Sequence, residues 1–153
     1  MSTRMILRTV LVSSAIVALP ALAEAKRTPE AVFPAREGTS RLVFECGEGK
    51  AVWLRVRNPQ RGWLADKASE VRIGQRSFRT EIDGATGSFI LSDVPLPGMG
   101  VTATLLDAAK NAEELVLAGP AAEQIPGPRR SFPLAGARAK IEAVEKACGG
   151  KAR

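Results

Sequence analysis

Residues 41–57 read RLVFECGEGKAVWLRVR. Arg41 to Cys46 alternates, with Leu42, Phe44 and Cys46 on one face. Lys50 to Arg57 alternates again, with Val52, Leu54 and Val56 on one face and Trp53, Arg55 and Arg57 on the other. A period of two is the mark of a half-buried strand. Two such runs joined through Gly47-Glu48-Gly49 predict a β-hairpin.

The pattern continues outward. Asn58 to Gly62 is a loop by composition, and Glu70 to Ile73 is a short strand. A second hairpin is expected from Arg76–Ile82 and Ser88–Ser92, around a loop at Asp83–Gly87. After Gly100 the apolar period lengthens: Val101, Leu105, Ala108, Ala109 and Ala112 predict a helix over 101–112. A strand over Glu113–Ala118 follows, then a proline-rich loop over Pro120–Pro128. Ser131–Leu134 is a short strand whose Pro133 places it at a sheet edge or strand end. Ala137, Ile141, Val144 and Cys148 share one face of a closing helix over 137–148. Strands early and helices late give an α+β class. The expected architecture is an antiparallel sheet of about 5–7 strands packed by the C-terminal helix.

The N-terminal 25 residues have the layout of a secretory signal peptide. Arg4 and Arg8 precede an apolar run from Thr9 to Leu19, broken by Pro20, and small-x-small sites end at Ala23 and Ala25. The run is shorter than the roughly 20 apolar residues of a membrane span, and no later segment approaches that length. Cleavage near Ala23 or Ala25 therefore predicts a periplasmic or secreted protein. Residues 26–40, with Pro29, Pro34 and Gly38 and no sustained period, are expected to form a flexible lead-in. Residues 41–149 would form one domain.

Export decides how the two cysteines are read. In an oxidising compartment an isolated pair predicts a disulfide, and Cys46 and Cys148 both fall on apolar faces. A Cys-x-x-Cys spacing, the usual mark of a redox pair, is absent.

The 153 residues contain no His and no Tyr, and Lys and Arg outnumber Asp and Glu by 22 to 16. Lack of His removes the Ser-His-Asp triad and the His metal ligand, so no metal site and no cofactor are expected. Carboxylate catalysis needs two carboxyl groups at a fixed separation. The spacing of Asp66, Glu70, Glu81, Asp83 and Asp93 pairs none of them. Gly47-Glu48-Gly49-Lys50 lacks the phosphate-loop spacing and lies between strands. The chain is therefore expected not to be an enzyme, with a carboxylate-based enzyme as the alternative.

A binding role has a better basis. Trp53, Arg55 and Arg57 face away from the apolar positions of their strand, as do Arg72 and Arg79 in theirs. Arginine holds carboxylates in a two-pronged grip and stacks on rings. This basic sheet face is expected to dock an acidic protein or an anionic envelope component. Nucleic acid is not expected as a partner of an exported chain.

Residues 101–149 resemble two kinds of periplasmic protein: VasI-like type VI secretion accessory proteins and invasion-associated-locus-B-like proteins. The shared features are Leu105-Leu106-Asp107-Ala108-Ala109, Glu114 to Leu117, Phe132-Pro133-Leu134-Ala135-Gly136, and a closing helix that ends at Ala147-Cys148-Gly149. The resemblance implies a small disulfide-bonded, β-rich periplasmic domain and transfers no catalytic residue. Phe44-Glu45-Cys46 through Gly49-Lys50 to Val56 is similar to the opening of periplasmic C-type lysozyme inhibitors. That similarity implies a small β-barrel with a disulfide near the first strand and an alternative role, with the Asp83–Ser88 loop as the inhibitory element.

Overall fold

The computed structural model describes residues 28–59, 68–85, 88–94, 100–123 and 125–149. In chain order it contains β1 (Ala31–Pro34), β2 (Arg41–Cys46), β3 (Val52–Arg57), β4 (Ala68–Ile73), β5 (Arg76–Ala85), β6 (Ser88–Ser92), α1 (Ala103–Asn111), β7 (Glu114–Ala118), α2 (Pro120–Glu123), α3 (Gly127–Arg130), β8 (Ser131–Pro133) and α4 (Ala137–Ala147). The strands form one eight-stranded sheet in the order β1-β2-β3-β6-β5-β4-β7-β8. Every neighbouring pair is antiparallel.

The 41–57 hairpin forms as its alternation predicts, with Leu42 opposite Val56, Phe44 opposite Leu54 and Cys46 opposite Val52. All but Cys46 are buried. The turn between them is a single 3-10 turn over Glu48–Lys50, where Gly49 takes a φ of +69°. The inner face continues across the sheet through Leu91, Phe89, Val71, Ile73, Leu115, Leu117 and Phe132, all in one core cluster. Helix α4 adds Ala137, Ile141 and Val144 to that core, packs on β1 and β2, and meets α1 along its side. The Cys46–Cys148 disulfide joins the end of β2 to the end of α4 across 102 residues.

The expected 5–7 strands are eight. The added strand is β1, which lies within the stretch expected to be a flexible lead-in. Its four residues are too few to show a period, and the order is supplied by tertiary contact. Ala31 and Phe33 are buried, and the Phe33 ring meets Phe44 edge-on with centroids 6.1 Å apart. The second hairpin also departs from expectation. β5 runs through to Ala85, so Asp83 and Gly84 pair with Ile90 and Phe89 and do not form a loop. The proline-rich stretch at 120–128 contains the short helix α2 and the first half of α3.

The sheet curls until its edges meet. The Arg36 N–H just after β1 donates to the Ser131 carbonyl of β8 at 2.9 Å. Continuing that antiparallel register would set Pro34 against Pro133. Neither proline has an N–H to give, so the seam lacks donors at that point. Pro133 closes β8, an edge strand, as its chemistry predicts. The result is a near-closed antiparallel barrel, with α4 tied to one wall by the disulfide. No described helix is long and apolar enough to cross a membrane.

Candidate functional site

The alternation that sends Leu54 inward sends Trp53, Arg55 and Arg57 outward. In the antiparallel register Glu45 stands opposite Trp53, Val43 opposite Arg55, and Arg41 opposite Arg57. Two arginines directly opposite each other repel, and carboxylates on the same face offset this. Glu45 is the hub. Its Oε1 accepts from Arg55 Nε at 2.5 Å and its Oε2 from Arg57 Nη2 at 2.6 Å. Its side chain is only 13% exposed. Arg57 also grips Glu30 with both terminal nitrogens, Nη1 at 2.9 Å and Nη2 at 2.8 Å. Arg55 Nη1 donates to Ser88 Oγ at 3.2 Å.

Hydrogen bonds to Glu30 raise the pKa of the Arg57 guanidinium above its already high ordinary value; burial opposes this and Glu45 adds to it. Val43 lies under this network. It is fully buried yet stands outside the core cluster. Its cross-strand neighbours are Val32 and Arg55, and long arginine stems can cover apolar surface in this way.

Trp53 borders the same cluster. The Arg55 guanidinium lies 5.9 Å from its ring centroid, within cation–π range. The indole occupies space beside two glycines. A Cβ on Gly47 would fall 2.0 Å from Cε2, and one on Gly100 would fall 3.4 Å from Cδ1 and 2.6 Å from the Val52 carbonyl. The indole N–H is buried without a hydrogen-bond partner among the described residues. Along the β1–β2 side of the network runs an open groove of about 760 Å³, lined by Thr28, Pro29, Glu30, Val32, Glu45 and Cys46.

Arg72 and Arg79 lie elsewhere on the outer surface. The strand order puts β6 and β5 between β3 and β4. Three steps of about 4.8 Å therefore separate Arg55 from Arg72 across a curling sheet. Arg72 Nε donates to Glu70 Oε1 at 2.9 Å, and Ser77 Oγ donates to the same oxygen at 2.8 Å. Arg72 also approaches Glu123 at 3.7 Å. The Arg72 hydrogen bond, then that of Ser77, hold the Glu70 carboxyl below its ordinary value. Arg79 stands opposite Glu70 in the register and is exposed.

The five residues expected to make one face are thus divided into Trp53/Arg55/Arg57 and Arg72/Arg79, each group interleaved with carboxylates. Glu45 was not singled out from sequence, although it was legible there: carried across the turn, the same alternation faces it toward Trp53. Glu30 had no such mark, because it precedes a strand with no visible period.

Of the carboxylates considered for catalysis, Glu70 is engaged by Arg72 and Ser77. Asp93 holds the start of α1, accepting from the Thr102 N–H at 2.7 Å and the Thr102 hydroxyl at 2.5 Å. Asp66 and the side chain of Asp83 lie outside the described residues, as do Thr86 and Gly87. Among the described residues no cluster of three or more His, Cys, Asp or Glu could hold a metal ion.

No protein-family model, no curated protein and no solved structure matches this chain.

Proposed function

We propose that this protein is a non-catalytic binding protein of the cell envelope, exported by its N-terminal segment, and that an acidic partner docks on the outer face of β1–β3. The observation that carries this is the Glu45 hub. It fixes the guanidinium groups of Arg55 and Arg57 beside Trp53 and an open groove. Groups held in place before binding lose less freedom when a partner arrives. Arg41, opposite Arg57 on the same face, adds a third cation to a network whose carboxylates are Glu30 and Glu45. The disulfide accords with an oxidising compartment.

The test is capture of acidic envelope components on the exported chain and on R55Q/R57Q. Glutamine is preferred to glutamate because Glu45 would otherwise face two more carboxylates. Capture should fall with R55Q/R57Q while the disulfide and melting curve persist; unchanged capture would exclude this face as the docking site.

Lysozyme inhibition through the β5–β6 hairpin is a second proposal. It is favoured by the near-closed antiparallel barrel with its disulfide at the end of β2. Undiminished lysis of a bacterial suspension by C-type lysozyme in excess protein would end it.

A further inference from the structure

The network on β1–β3 holds its two carboxylates in different ways. Glu45 lies inside β2, between β1 and β3, and is 13% exposed while serving both Arg55 and Arg57. Glu30 precedes β1, is 40% exposed, and is held by the two terminal nitrogens of Arg57. A paired grip by guanidinium is the standard way of binding a free carboxylate. Glu30 also forms part of the wall of the open groove, next to Thr28 and Pro29.

We propose that Glu30 is an internal occupant of a carboxylate site at Arg57, and that an acidic segment of a partner protein binds by displacing it. This rests on the docking face proposed above and names what that face recognises. The exchange replaces one carboxylate with another on the same fork, so the arginine loses no hydrogen bond. An exposed ion pair contributes little to stability, which makes Glu30 the exchangeable member. Glu45 stays, because it lies within β2 and its removal would take a carboxylate from Arg55 and Arg57 at once. Once the Glu30 carboxylate leaves the fork, Arg57 keeps Glu45 but loses one negative neighbour, and attraction for an anion rises. The groove gives the incoming chain room beside the fork.

The experiment uses the exported chain and fluorescein-labelled poly-L-glutamate, read by fluorescence anisotropy at low salt. Removing the internal competitor with E30Q should tighten binding about fivefold. The matched change E48Q, on an exposed glutamate of the 3-10 turn, should leave binding nearly unchanged. The gain should vanish in E30Q/R57K, which keeps the charge and loses the fork; melting curves confirm that each variant is folded. Displacement is overturned if E30Q binds no tighter than wild type, if E48Q gives the same gain, or if the gain survives R57K. It is also overturned if the gain appears with inorganic polyphosphate and not with poly-L-glutamate. Loss of binding in R55Q/R57Q without a gain in E30Q would leave the docking face standing and remove displacement alone. Binding indifferent to R55Q/R57Q would remove both.

Discussion

The indole of Trp53 fills the space that a side chain on Gly47 would need. A Cβ there would fall 2.0–2.2 Å from Cε2, Nε1 and Cδ2, so G47A must push the ring away. The expected destabilisation is about 1–3 kcal/mol. In a W63F background, where Trp53 is the only tryptophan, the emission maximum should shift. An unshifted spectrum with unchanged stability would show that the ring does not rest there.

The disulfide closes a loop of 102 residues between β2 and α4. Loop-closure entropy makes C46S/C148S less stable by about 4–5 kcal/mol. Denaturant unfolding measures this, and intact mass with and without reductant should differ by two hydrogens.

Thr80 is 1% exposed on the inner side of β5, and its hydroxyl has no hydrogen-bond partner among the described residues. A buried polar group left unpaired is destabilising. T80V keeps the shape and removes the hydroxyl, so it should be neutral or stabilise by up to about 1 kcal/mol. A large loss in urea unfolding would show that the hydroxyl has a partner.

Lys110 ties α1 to α4 through Glu145 at 2.8 Å and also reaches Asp107 at 3.1 Å. Burial lowers its pKa, but Glu145 and Asp107 outweigh that and raise it above 10.5. A cation whose pKa is higher folded than unfolded contributes in full below the unfolded value and loses that contribution as pH rises through the folded one. K110M should therefore cost about 1 kcal/mol near neutrality. Its deficit relative to wild type should shrink only above pH 10.5. A deficit that disappears by pH 9 would contradict the pairing.

Local pattern carried much of the fold. The 41–57 hairpin and the helix from Ala137 follow from one-face periodicity, and the same faces brought Cys46 and Cys148 together. What stayed hidden depends on non-local pairing. β1 is ordered by Phe33 against Phe44, and four residues show no period. Nothing in Ser88–Ser92 announces that β6, and not β4, lies beside β3. That strand order separates Arg55 and Arg57 from Arg72 and Arg79, since alternation tells which way a side chain faces but not which strands are neighbours. Glu45 was readable by the rule that exposed Trp53; Glu30 was not.

Recognition is proposed to belong to the Trp53/Arg55/Arg57 face. The direct measurement is quantitative capture of acidic envelope components by three folded exported chains: wild type, R55Q/R57Q and R72Q/R79Q. Capture should be lost with R55Q/R57Q and kept with R72Q/R79Q. Equal capture by all three, or loss confined to R72Q/R79Q, would contradict it.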